Sequence, residues 1–242
     1  MYSKALAACL LAVACGQEPT PPAPASVLLF NGRGTSVNDV AAVEGILRDA
    51  HLSYTTANSR QVAAMTTPQL RTYRLLIVPG GNFVEIGTGL THAAVGNVRN
   101  AVHGGLNYLG ICAGAFFAGD SPYNGLNLTA GVRFPFYAVE ARGIRKAAVQ
   151  IAIAGSSPLE QYWEDGPQLT GWGDAVAKYA DGTPAVAQGK FGNGWVMLLG
   201  THPEAPDSWR DGLPFSASGA AARAYAATLT AAALNATPLK HY

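Results

Sequence analysis

The stretch Leu109-Gly110-Ile111-Cys112-Ala113-Gly114-Ala115-Phe116 constrains the fold of this chain more than any other. An apolar run enters a cysteine surrounded by small residues. Gly110 and Gly114 stand two positions to either side of Cys112, where a sharp strand-to-helix turn leaves no room for side chains. Such a turn requires a strand before it and a helix after it, so it demands an α/β chain. Unfavourable dihedrals at its apex are tolerated because they expose the sulfur. The N-terminus of the following helix stabilises the thiolate, which is the reactive form. The other cysteines, Cys9 and Cys15, lie in an N-terminal leader, so the folded part offers Cys112 no disulfide partner.

Ninety residues further on comes Thr201-His202-Pro203-Glu204. The proline biases His202 towards an extended conformation. In an extended chain, residues two apart point the same way, which puts the Glu204 carboxylate beside the His202 ring. Cys112, His202 and Glu204 thus form a candidate set of nucleophile, base and orienting acid.

The rest of the chain is consistent with that reading. Ser26–Phe30 reads as a buried strand and Val37–Ala50 as an amphipathic helix with Val40, Val43, Ile46 and Leu47 inward. Further strands are expected at Leu52–Thr56, Arg74–Val78 and Leu106–Ile111, with helices at Thr91–Val102 and from Ala113 to Ala118. Alternating strands and helices imply a three-layer α/β/α, flavodoxin-like architecture with a mostly parallel central sheet. Ligands are expected at the carboxyl ends of the strands, where the loops holding Gly32, Gly80 and Gly81 would meet the elbow. From Leu126 to Leu199 the pattern becomes rich in β-hairpins, with short β-prone runs such as Val149–Ile153, Ala175–Tyr179 and Ala185–Gln188. Gly192-Asn193-Gly194 is a hairpin signal that leads into Trp195–Leu199, the strand that delivers His202. Ser216–Leu234, rich in alanine, reads as a helix packed closely on the sheet.

Residues 1–15 read as a signal peptide with Lys4 followed by a short apolar stretch. That stretch falls short of the roughly 20 apolar residues that span a membrane. Small residues ahead of Cys15 resemble a bacterial lipobox, with Cys15 as the lipidated residue. Residues 16–25, rich in proline, read as a tether, and 26–242 as a single α/β domain. The expectation is an exported protein of the bacterial cell envelope, facing the periplasm and anchored at the outer membrane, that meets the membrane through its lipid alone. Charged residues make up only 13% of the chain and the net charge is +1, which offers no footprint for nucleic acid. No metal-ligand spacing of cysteine and histidine is present, and neither a metal nor an organic cofactor is expected.

These pieces resemble the class I glutamine amidotransferase-like superfamily, whose Gly-x-Cys-x-Gly elbow corresponds to Gly110–Gly114 and whose His-x-Glu corresponds to His202 and Glu204. Within it the chain is most similar to the biotin-protein ligase N-terminal-like family. That similarity rests on Val27–Gly32 with Gly34–Ser36, on Leu76–Gly81, and on Gly104–Ala118. The resemblance implies cysteine-dependent chemistry on a small-molecule or peptide amide, with the N–H groups of Gly81 and Ala113 as oxyanion donors. Two departures shape the expectation. Glutamine amidotransferases place a glutamine where this chain has Phe116, and an apolar ring cannot hold a substrate carboxamide. Biotin ligation needs a separate catalytic domain for biotin and ATP, so ligation is not expected. The alternative is an inactive, membrane-anchored binding module that retains the fold.

Other residues rate lower. His51, His92, His103, His241 and Asp120 read as structural, and Glu85 as a solvated loop carboxylate. Tyr162, Trp163 and Trp172 read as core rather than as a substrate wall.

Overall fold

The computed structural model describes residues 25–139 and 142–242. The expected signal peptide, Cys15 and most of the tether lie outside the described residues. Among those described, no helix is long and apolar enough to cross a membrane.

The first half alternates strands and helices: β1 (Val27–Phe30), α1 (Val37–Asp49), β2 (Tyr54–Ala57), α2 (Ser59–Ala64), α3 (Thr67–Leu70), β3 (Leu75–Val78), α4 (Phe83–Thr88), α5 (His92–His103), β4 (Asn107–Ile111) and α6 (Ala113–Ala118). The second half runs β5 (Lys146–Ile153), β6 (Leu159–Glu164), β7 (Asp174–Lys178), β8 (Pro184–Phe191), β9 (Gly194–Leu199), α7 (Asp207–Arg210) and α8 (Ala220–Leu234).

The strands form one sheet in the order β2-β1-β3-β4-β9-β8-β7-β5-β6. From β2 to β9 all neighbours are parallel, in the flavodoxin-like order that reverses direction at β1/β3. From β9 to β6 all are antiparallel. The sheet is therefore mixed, with four parallel and four antiparallel strand pairings, and corrects the expectation of a mostly parallel one. The physical reason is connection length. Hairpins such as β8–Gly192–Asn193–β9 leave no room for the crossover that a parallel pair needs.

Period-two alternation along the parallel strands buries both faces. Leu28 and Phe30 of β1 face a core shared with Val62, Leu70, Ile86, Val98 and Phe117. Val27 and Leu29 face the opposite core, with Val43 and Leu47 of α1 and Leu229 of α8. Helices thus cover both sides of the parallel part, giving three layers there. The expected inward face of α1 is present, with Val43, Ile46 and Leu47 buried and Val40 partly so. Helix α8 starts at Ala220 rather than Ser216, and its alanines let it lie close to the sheet.

Candidate active site

The elbow forms as its glycines require. Cys112 has φ 48° and ψ −104°, in the left-handed half of backbone space, at a cost of about 1–3 kcal/mol for a non-glycine residue. A side chain at Gly110 would come within 2.8 Å of the Tyr108 ring, and one at Gly114 would collide with the Val78 carbonyl. The Tyr108 hydroxyl donates to the Gly114 carbonyl at 2.7 Å and locks the turn. Cys112 N–H donates to the Leu199 carbonyl at 2.8 Å, so the nucleophile's own backbone is tied to β9.

Strand β9 ends at Leu199, and His202 follows, its N–H donating to the Tyr162 carbonyl at 2.8 Å. The ring is buried, and its Nδ1 lies 2.9 Å from Glu204 Oε1. The pairing was legible in sequence, but its cause differs. His202 to Ala205 form a turn, closed by Ala205 N–H on the His202 carbonyl at 3.2 Å, rather than an extended run. The proline serves the turn.

A residue that sequence reasoning missed completes the set. Asp39, in the first turn of α1, puts Oδ1 3.1 Å from the same Nδ1. Glu204 takes the ring N–H, which leaves that buried Asp39 oxygen without a hydrogen-bond partner. It acts on His202 by charge. Gly80 makes this possible, since a methyl group there would collide with the Asp39 carboxylate and lie 2.7 Å from His202 Cε1. In the sequence, an aspartate just after the Ser36 cap is indistinguishable from an ordinary acid at a helix N-terminus.

The electrostatics follow from burial and these charges. Burial opposes the charged imidazole, but its interactions with Cys112 and Glu204, with Asp39 close by, outweigh it. The His202 pKa is pushed well above its ordinary 6.5. Burial works against the Asp39 carboxylate too, yet His202 prevails and holds its pKa below the ordinary 3.8. For Glu204 burial dominates, and its pKa is raised from 4.5 despite His202. Asp39 is therefore the firmer of the two anions. Asp39, His202 and Glu204 offer ligand atoms within 4.8 Å of one another. Both carboxylates converge on one ring nitrogen, however, which occupies the place a cation would take.

Cys112 opens onto a cleft of about 270 Å³ lined by Gly81, Ala113, Phe83, Phe116 and Phe136. Gly81 has φ 140° and bridges Thr35. The bridge is made by the flanking groups, Ser36 N–H to Gly80 carbonyl and Asn82 N–H to Gly34 carbonyl, so it does not use the Gly81 N–H. The thiol itself donates to the Glu164 carbonyl at 3.4 Å. A second, polar cavity of about 400 Å³ is lined by Asp39, Tyr162, Glu164 and Trp209. The Tyr162 and Trp209 rings stand 5.9 Å and 6.0 Å from the His202 ring.

Cys112, His202, Glu204, Gly80, Gly81, Ala113 and Phe116 are thus brought together. Gly32 is not at the cleft; it turns the loop after β1 and packs on the Phe30 ring and Ser59. Tyr162 and Trp163 are both buried, as expected, and Tyr162 also borders the polar cavity. Glu85 sits at the surface, paired with Arg33 at 3.7 Å. His103 packs edge-on against Phe191, away from the elbow.

Solved structures share this arrangement of strands and helices. A structure described as a glutamine amidotransferase superposes with a TM-score of 0.60 at 18% identity, covering 74% of this chain and 90% of its own. PurLQS from Thermotoga maritima gives 0.56 at 14% identity over 85% and 97%. The exo-beta-1,4-mannosidase Op5Man5 from Opitutaceae bacterium strain TAV5 gives 0.56 at 14% over 84% of this chain but only 36% of that longer one. No curated protein matches the sequence. The fold is similar to that of the solved glutamine amidotransferase. Residues 25–124 match the family described as biotin-protein ligase, N terminal.

Proposed function

We propose that this chain is a cysteine-dependent amide hydrolase or amidotransferase-like enzyme of the bacterial cell envelope, working through Cys112, His202 and Glu204. The observation that carries the proposal is a cysteine on a left-handed elbow, beside a buried histidine whose Nδ1 is held by a carboxylate at 2.9 Å. The Cys112 thiolate attacks a substrate carbonyl carbon, and the carbonyl oxygen takes the negative charge between the N–H groups of Gly81 and Ala113. The C–N bond then breaks. The amine leaves with a proton from His202, and a thioester remains on sulfur. His202 next takes a proton from water as the water oxygen attacks the thioester. The C–S bond breaks, the carboxylic acid departs, and the thiolate and protonated His202 are restored. Neither metal nor organic cofactor enters any of these steps.

Export through residues 1–15 and lipidation at Cys15 belong to the same proposal and give the enzyme a periplasmic setting. Its substrate is a small-molecule or peptide amide, and nucleic acid plays no part.

The test is labelling of leaderless protein with carbonyl-directed electrophiles between pH 6 and 9. Labelling confined to Cys112 and lost in His202→Ala supports the proposal; no labelling at any pH ends it.

A second reading, an inactive binding module, draws support from Phe116, which lines the Cys112 cleft where glutamine amidotransferases carry a glutamine. Under that reading, Cys112→Ala leaves the cellular phenotype intact while changes at the cleft wall abolish it.

A further inference from the structure

Two cavities lie near the site. One is polar and bordered by Asp39, Tyr162, Glu164 and Trp209, whereas the cleft that Cys112 itself lines is walled by aromatic rings. Phe83 and Phe116 stack with centroids 4.6 Å apart, and Phe136 tilts against Phe116 at 4.8 Å. Phe136 is 38% exposed although it is a large apolar residue, so this cluster keeps an open face towards solvent.

The polar groups at the rim are engaged in part. The Asn82 side-chain oxygen accepts from the N–H groups of Val84 and Glu85 at 3.0 Å and 3.2 Å. Asp165 pairs with Arg145 at 3.3 Å. A carboxamide placed among these rings would lose water and gain few partners, whereas an apolar or flat group gains contact with π faces. The cavity, about 270 Å³, falls just below the roughly 300–1,000 Å³ typical of sites for drug-sized ligands. It suits one small side chain rather than a long peptide.

We infer that Phe83, Phe116 and Phe136 form the acyl-side subsite, and that the substrate is an amide whose carbonyl carries a small aromatic or other apolar group. The inference rests on the proposal that Cys112 attacks a carbonyl. The acyl group stays bonded to sulfur through the thioester while the amine departs, so the pocket that Cys112 itself lines is assigned to the acyl group.

Two chloromethyl ketones test this, one bearing a phenylethyl group and the other a carboxamidoethyl group next to the ketone. In each, the Cys112 thiolate attacks the methylene carbon, an S–C bond forms, and chloride leaves with the C–Cl electron pair. Rates are divided by those for a small free thiol, which removes intrinsic reactivity, and iodoacetamide serves as a probe too small to use the subsite.

The phenylethyl probe is expected to label Cys112 roughly tenfold or more faster than the carboxamidoethyl probe. Phe116→Gln is expected to erase or invert that ratio. Phe136→Ala, at a more exposed position, is expected to shrink it several-fold and covers the case in which the Phe116 variant does not fold. Equal rates, or a faster carboxamidoethyl probe, on the unaltered protein would overturn the inference while leaving the nucleophile reading intact. Failure of iodoacetamide itself to alkylate Cys112 would remove that reading and the subsite with it.

Discussion

Replacing Asp39 by asparagine tests the least expected member of the site. The change keeps the shape of the side chain beside Gly80 and removes only its charge, 3.1 Å from His202 Nδ1. Glu204 still accepts the ring N–H at 2.9 Å, so the imidazolium is not stranded and the full penalty for a broken buried pair does not apply. What is lost resembles one hydrogen-bond-range interaction between charged groups, about 1.5–3 kcal/mol. At about 1.4 kcal/mol per pKa unit, that lowers the His202 pKa by about one to two units. The same energy, drawn from the thiolate–imidazolium pair, slows Cys112 alkylation at pH 7 by roughly ten- to hundredfold. NMR titration of the His202 ring reads the first quantity and iodoacetamide kinetics the second. Because Glu204 both accepts the ring N–H and acts on it by charge, Glu204→Gln should shift the titration further than Asp39→Asn. An unshifted titration in Asp39→Asn, with normal alkylation, would mean that Asp39 merely fills space.

Three further outcomes follow from the same geometry. Cys112→Gly should be more stable than Cys112→Ala by about 1 kcal/mol in urea unfolding, because glycine relieves the left-handed backbone that alanine retains. The opposite order would place the strain elsewhere. Gly114→Ala drives a methyl group into the Val78 carbonyl and should destabilise the protein by about 1–3 kcal/mol, with a matching fall in Tm. Unchanged Tm would refute the packing argument. Since the folded-state pKa of His202 is raised, its contribution to stability is complete below about pH 6.5 and is lost as pH rises through the higher folded value. Unfolding measured from pH 6 to 9 should show that decline, and His202→Gln should flatten it.

Much of the parallel half was legible because its signals are local. Glycines at Gly110 and Gly114 admit few backbones, and the apolar runs at β1, β3 and β4 are bounded by turn residues. The Gly192-Asn193 hairpin was equally plain. The direction of the second half was harder to read. Short alternating runs such as β5 and β7 fit either pairing sense, and only their short connections decide it. Helices α2, α3 and α4 escaped because four- to six-residue elements carry too little periodicity. Asp39 was invisible for a different reason: its role depends on Gly80 and His202, which lie far from it in sequence, and its local context is that of any helix start.

The lateral pairing of β4 with β9, Ile111 opposite Leu199, has a temporal consequence. Thiol and imidazole leave neighbouring strand ends, yet ninety residues of chain lie between them, and β5 to β8 must be laid down in the interval. Until β9 docks, the sulfur has neither its histidine nor the Leu199 carbonyl that anchors its own N–H. A chain still emerging, or one clipped before Gly194, therefore carries a cysteine without its proton partner. Under the proposed mechanism, reactivity at Cys112 becomes a readout of completed assembly, since it needs β9 in place beside β4.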